Sequence, residues 1–243
     1  MNNRLPEVTV VTPCYNHAKF LPEAIESVLD QTFKDFEYFL VDDGSTDNSF
    51  DVMTDYAKKD SRISVFRQEN KGVAESLNRC IKIMNGKYFV WVPADDAINS
   101  DLLKRKLIFN SKILPENRGV IYSSFMRIDS DGNYIDTEKM KIVIPSEFFK
   151  ESYRQCFIGF TGIFIPRIAF DVAGLFSNKL SNGYHIYSED YYWMLKAAKL
   201  GVKFHGLDDV LFAKRIHQNR TTAREYDRII EDIKKIKEDI DAI

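Results

Sequence analysis

Only three of the 243 residues are cysteine, Cys14, Cys80 and Cys156, and none stands in a CxxC pair. An odd, scattered set excludes a disulfide framework and a thiolate zinc site, and suits free thiols in a reducing compartment. Long apolar runs are missing too. None approaches the roughly 18 residues that cross a bilayer, and Val8–Val11 is too short for the core of a signal peptide. An excess of one charge is also absent: 34 Lys and Arg stand against 36 Asp and Glu, a net −2 that removes any nucleic-acid protein driven by bulk charge. Two glycine devices are lacking. No GxGxxG follows the first apolar run and no GxxxxGK[ST] occurs, so neither a dinucleotide turn nor a P-loop is available. What remains is 44% hydrophobic and 13% aromatic, enough to bury the core of one large domain.

The first part of the chain alternates between two periods. Val8–Thr12, Tyr38–Val41, Ile63–Phe66 and Tyr88–Val92 are short apolar or β-branched runs, as buried parallel strands require. Between them, Leu21–Leu29, a stretch opened by Asp47 and carrying Val52, Met53, Tyr56 and Ala57, and Val73–Met84 repeat at helical spacing. The order β-α-β-α-β-α-β predicts a mostly parallel central sheet flanked by helices. After Pro93 the pattern loosens. Helices are expected over Leu102–Leu114, from Ser146 to Cys156 and from Ser188 to Gly201. Strands are expected over Val120–Ile128 and Gly162–Ile165, with a hairpin turn at Asp131-Gly132. From Thr222, isoleucines 229, 233, 236, 240 and 243 form an amphipathic stripe. The expected division is one domain over 1–243: about 1–98 as a regular α/β half, about 99–221 as a less regular half, and about 222–243 as a terminal helix.

Ligands of open parallel sheets bind beyond the carboxyl ends of the strands. Here those ends run into Thr12-Pro13-Cys14-Tyr15-Asn16, Asp42-Asp43-Gly44-Ser45 and Pro93-Ala94-Asp95-Asp96, so tyrosine and carboxylates converge on one rim. Without a glycine cradle, a diphosphate needs another counter-charge, and a divalent metal held by carboxylates is the simplest. Adjacent residues leaving a strand point apart, so one of Asp95 and Asp96 can hold a cation while the other bonds a hydroxyl.

Several motifs then occur in order. Val8-Thr9-Val10-Val11-Thr12-Pro13-Cys14-Tyr15-Asn16, Ser27–Phe33, Val41-Asp42-Asp43-Gly44-Ser45-Thr46-Asp47, Asn70-Lys71-Gly72, Asn78, Gly86-Lys87-Tyr88, Ala94-Asp95-Asp96 as a form of the DxD motif, and Ser188-Glu189-Asp190 resemble family 2 glycosyltransferases of the GT-A fold, a Rossmann-like α/β architecture. The resemblance runs from about Val8 to about Thr222. It implies a nucleotide-sugar donor, UDP-linked by preference, a Mn2+ or Mg2+ cofactor, and inverting transfer of a single sugar to a glycan or lipid-linked hydroxyl. It implies that Thr12, Pro13 and Tyr15 wall the nucleobase, that Asp43 accepts its ring N–H, and that Gly72 belongs to the donor site. Asp95 is expected on the ribose or sugar, Asp96 on the metal, Asp190 as general base and Glu189 near the acceptor. His217, in Arg215-Ile216-His217-Gln218-Asn219-Arg220, matches a C-terminal Arg-x-His pattern whose histidine can reach metal or diphosphate. His17, His185 and His205 are read as structural or solvent-facing.

Two departures stand out. Many relatives carry Ala-Arg-Asn where this chain has Ser76-Leu77-Asn78, leaving Lys71 as the substitute for the arginine's charge. The Gln-x-x-Arg-Trp motif of processive synthases is absent, which favours one sugar per encounter. Two other classes remain open at this stage. One is a sugar-nucleotide pyrophosphorylase, disfavoured because no glycine- and base-rich loop follows strand one; the other is an inactive scaffold. The isoleucine stripe must be covered, by the domain itself or by the same helix of a second copy. A cytoplasmic location, at most peripheral to the inner membrane face, completes the expectation.

Overall fold

The computed structural model describes residues 5–218 and 220–243. Strands β1 (Val8–Cys14), β2 (Phe36–Asp42), β3 (Ile63–Arg67) and β4 (Tyr88–Trp91) alternate with helices α1 (Leu21–Leu29), α2 (Ser49–Ala57) and α3 (Val73–Ile83). β1 pairs in parallel with β2 and with β4, and β2 with β3. The order β3-β2-β1-β4 follows from right-handed crossovers on both sides of β1. Every residue of β1 is buried, which is why its run of Val8, Val10 and Val11 shows no alternation. Pro22 opens α1 in the first turn, where its missing N–H costs nothing. Leu21, Ala24, Ile25 and Val28 then face the sheet, and a buried aliphatic side chain of this size contributes roughly 1.5–3 kcal/mol.

The second half comprises β5 (Ala97–Ile98), α4 (Leu102–Ser111), β6 (Val120–Ile128), β7 (Tyr134–Glu138), α5 (Pro145–Arg154), β8 (Ile163–Pro166), α6 (Ile168–Ala173), α7 (Glu189–Lys199) and β9 (Phe204–Arg215). The short α8 (Thr221–Arg224) and the long α9 (Tyr226–Asp241) follow. The sheet continues from β4 through β8, β6, β9 and β5. β8 runs antiparallel to both β4 and β6, β9 runs parallel to β6, and β7 hangs off β6 as a hairpin. The sheet is thus parallel up to β4 and mixed beyond it.

Three local differences from the sequence reading have physical causes. Asp47 holds the start of α2 from one residue outside it, accepting Ser49 N–H at 2.9 Å and Ser49 Oγ–H at 2.6 Å, while Asn48 occupies the cap position. α5 begins at Pro145, whose fixed φ suits a first turn, rather than after Ser146. The twelve-residue β9 carries no strand signal, because Gly206 and Asp208-Asp209 interrupt its apolar residues. Pairing with β6, through register shifts at Ser123–Phe125, imposes the extended form.

The terminal helix α9 lies on the domain. Ile236 and Ile240 are fully buried against it, and Tyr153 Oη–H donates to Asp241 at 2.6 Å. Among the described residues, no helix is long and apolar enough to cross a membrane.

Candidate active site

The rim begins with a stitched pair of loops. Asn16, the one described non-glycine residue with positive φ, at +57°, accepts the amides of Thr46 at 2.8 Å and Asp47 at 3.3 Å through its side chain. Its own N–H donates to Ser45 Oγ at 3.0 Å. Asparagine tolerates this backbone conformation, and here the cross-loop bonds repay its cost. The loops after β1 and β2 are thereby locked together, with Tyr15 exposed at the edge. Pro13 is buried beneath it. Thr12 is fully buried and shares a hydrogen bond of 2.8 Å with Tyr38 Oη, so it supports the wall from below.

Asp43 follows directly on β2 and is almost fully buried. Its Oδ1 accepts Gln68 Nε2–H at 2.8 Å and Lys71 N–H at 3.0 Å, and its Oδ2 accepts Gly72 N–H at 2.8 Å. Gln68 Nε2 also donates to Ser76 Oγ at 3.1 Å, which anchors the carboxylate to α3. Two glycines are obligatory in this corner. Gly44 has φ of +81°, and a Cβ there would meet Asn70 N at 2.8 Å; Gly72 has φ of +86°. Gly44, Arg67, Gln68, Glu69 and Asn70 line an open recess of about 590 Å³ beside Asp43.

Past β4 the two adjacent carboxylates divide. Asp96 is 1% exposed and turns inward. It accepts Thr161 Oγ1–H at 2.5 Å, Arg215 N–H at 2.9 Å and Arg220 Nη1–H at 2.8 Å. Asp95 turns toward two imidazoles, with His217 Nε2 at 3.1 Å and His17 Nε2 at 3.9 Å from its Oδ2. These three ligand atoms lie within 4.8 Å of one another. Arg220 Nη1 stands 3.4 Å from the same oxygen. Burial alone would raise the Asp95 carboxyl, but the His217 hydrogen bond and the charges of Arg220 and His17 hold it below the usual carboxylate range.

The arrangement suits a divalent metal at Asp95 on a donor-chemistry argument. His17 Nδ1 lies 2.9 Å from Tyr15 O, a carbonyl that can only accept, so the proton of the neutral ring sits on Nδ1 and leaves the Nε2 lone pair for a metal. Phe20 backs this corner, with the His217 ring centroid 4.8 Å and the Arg215 guanidinium 5.0 Å from its own. The sequence reading put Asp96 on the metal and left His17 structural. In the folded chain Asp96 accepts three protein donors, and Asp95, His17 and His217 turn toward one point. His185 and His205 lie elsewhere, the latter with Nε2 at 2.9 Å from Asn117 O.

Glu189 and Asp190 open α7. Glu189 is buried; desolvation first and the neighbouring Asp190 second push its carboxyl up to about 8. Asp190 is half-buried and accepts Tyr191 N–H at 2.7 Å. Burial raises it above the ordinary aspartate value, against the pull of that amide and of Lys214. Lys214 connects the two acidic centres. Burial and Arg220 lower its ammonium, while Asp96 and Asp190 both draw it back up. Lys106, fully buried, donates to Gly162 O at 2.7 Å and Ile121 O at 3.2 Å, bracing the turn that carries Thr161. Desolvation pushes its amine down to about 7.

Lys214, Arg215, Arg220 and Thr161 were not legible as site residues. Arg220 had the best available signal, three residues after His217 in a segment already matched to relatives.

Comparison with known proteins bears on the family and the fold. The family described as Glycosyl transferase family 2 matches residues 9–170. Glycosyltransferase GlyG of Streptococcus pneumoniae is 35% identical over 129 residues, covering 52% of this chain and 42% of GlyG. The chain spans between 21% and 67% of the length of the first curated relatives it matches. Among solved structures, S. aureus TarS 1–349 in complex with UDP-GlcNAc superposes with a TM-score of 0.71 at 20% identity, covering 95% of this chain and 64% of that one. The mannosyltransferase PcManGT of Pyrobaculum calidifontis, in complex with GDP-Man and Mn2+, gives 0.66 at 18% identity, covering 92% and 61%. With the sequence match spanning most of the parallel half and well into the second, and the fold shared over nearly the whole chain, this protein belongs to glycosyl transferase family 2 and has the GT-A fold.

Proposed function

We propose that the chain transfers a single sugar from a UDP-sugar to a hydroxyl of a glycan or lipid-linked acceptor, with inversion and with a divalent metal. The observation that carries this reading is the meeting of Asp95, His17 and His217 at the strand ends. Asp95, His17 and His217 would hold the ion, and two imidazoles with one carboxylate favour Mn2+ over the all-oxygen shell that Mg2+ prefers. A bound ion would supply charge neutralisation to the departing diphosphate.

The protein's own groups do the rest. Arg220 adds fixed positive charge where the leaving group gains negative charge, the kind of preorganised electrostatics that usually dominates such barriers. Asp43 offers about four lone-pair sites, and three already accept protein N–H groups. The remaining one suits uracil, which presents a single ring N–H, better than guanine with its two adjacent donors. Tyr15 supplies a face for the base, and Gly72 keeps Asp43 in its rotamer. Asp190 in its carboxylate form takes the acceptor hydroxyl proton during attack on the anomeric carbon. Glu189, neutral below about pH 8, can donate a hydrogen bond to the acceptor. The acceptor class rests on the family resemblance.

A panel of UDP-glucose, UDP-galactose, UDP-GlcNAc and GDP-mannose, each with Mn2+ or with EDTA, tests the reading through slow donor hydrolysis. Metal-dependent release of UDP from one UDP-sugar is expected. No turnover on the panel, together with no calorimetric binding of UDP plus Mn2+, would sink it.

A further inference from the structure

Helix α9 does more than cover apolar surface. Arg228, Asp232, Lys235 and Asp239 recur at intervals of four, three and four residues, so they share one face of the helix. All four engage the irregular segment 181–187 or the helix it leads into. Asp239 Oδ1 accepts Ser181 N–H at 2.9 Å and also bonds Ser181 Oγ, and its Oδ2 accepts Tyr192 Oη–H at 2.7 Å. Lys235 Nζ sits 3.6 Å above the Tyr184 ring. Arg228 lies 4.9 Å over the Tyr187 ring and donates to His185 O at 3.5 Å. Asp232, fully buried, accepts Tyr187 N–H at 2.6 Å. Three residues past that amide stands Asp190.

We propose that α9 is a clamp on residues 181–187, and that Asp232 is a positioning residue for Asp190 through the Tyr187 amide. This rests on the reading of Asp190 as the base. Asp232 keeps its second oxygen, Oδ1, buried with no hydrogen-bond partner among the described residues. A helix needed only to cover α7 would do better with an apolar side chain there, since burying a half-satisfied carboxylate is costly. The segment itself has little regular pairing, a single bridge between Lys179 and His185, so the amide of Tyr187 depends on the helix for its partner.

The test uses the full chain in three variants: Asp232→Ala, Asp232→Asn and Lys235→Ala. Hydrogen exchange, resolved by peptide, is expected to rise at least tenfold over 181–190 in Asp232→Ala while 8–98 stays protected. UDP affinity with Mn2+ should stay within twofold, and turnover of the UDP-sugar hydrolysed fastest by the wild type should fall at least tenfold in kcat with KM little changed. Asp232→Asn keeps an oxygen for the amide and should recover most of that turnover. Lys235→Ala, further from the base, should loosen 181–187 with a smaller loss. Exchange over 181–190 unmoved in Asp232→Ala overturns the clamp, as does a fall in UDP affinity that tracks the fall in kcat. An Asp190→Asn protein with full turnover would overturn the base assignment instead, and the exchange result would still decide the clamp.

Discussion

The two halves of the molecule use aspartate in opposite ways. In the parallel half, Asp43 receives three N–H groups and Asp95 is held charged by imidazoles and a guanidinium. In the mixed half, Asp190 has one backbone amide, and Glu189 beside it is driven up to about 8. The His217 hydrogen bond and the Arg220 charge hold Asp95 below the usual carboxylate range against its burial, whereas burial raises Glu189 and Asp190, which have little to offset it. The proposed division between binding and proton transfer therefore follows the charges and burial around each carboxylate, not residue type.

The sharpest way to break this comparison is Asp190→Asn. Turnover should fall by about 10²–10⁴-fold, the usual worth of a general base, while calorimetric UDP binding stays within about twofold. The pH profile of kcat belongs to the same test. Because Asp190 is raised, its acid limb should lie above the range of an ordinary aspartate, and a limb at the ordinary value would contradict the environment described. Next in size is Asp96→Ala, which strands Arg220 and Thr161 in the interior. A loss of about 3–5 kcal/mol in urea unfolding is expected from breaking a buried ion pair. Asp95→Ala should instead cost little stability and weaken Mn2+-dependent UDP binding about tenfold or more, a loss of about 1.4 kcal/mol per decade. Equal effects of the two substitutions would erase the distinction between them.

Glu189→Gln tests the donor-poor side by stability. The folded protein holds the Glu189 proton more tightly than the unfolded chain, whose value is near 4.5. That contribution is whole below 4.5 and is lost as pH rises through about 8. The variant should therefore gain Tm relative to wild type at pH 8.5 and show no gain at pH 4. Smallest is Tyr15→Ala, for which loss of stacking worth about 0.5–1.5 kcal/mol should weaken UDP binding roughly threefold to tenfold.

Much of the parallel half was legible because its signals are local. Continuous valine runs, helix periods and the residues that follow each strand all sit close together in sequence, and they set the rim at Tyr15, Asp43 and Asp95. What could not be read depends on distant partners. Neighbouring Asp95 and Asp96 look interchangeable until Thr161 and Arg220 claim one of them, and His17 gains meaning only when His217 arrives opposite it. β9 was hidden for the same reason, since its extended form comes from β6 and not from its own residues.

The reach of these contacts has a thermodynamic consequence. Glu23 on α1 bonds Arg215 at the end of β9, a separation of 192 residues, and Arg220 reaches Asp96 across 124. Closing such long intervals is entropically expensive and rewarded only once the intervening chain is in place. The centre therefore has no partial form. Activity and far-UV dichroism should disappear together in a single unfolding transition, making catalysis a sensor of global integrity.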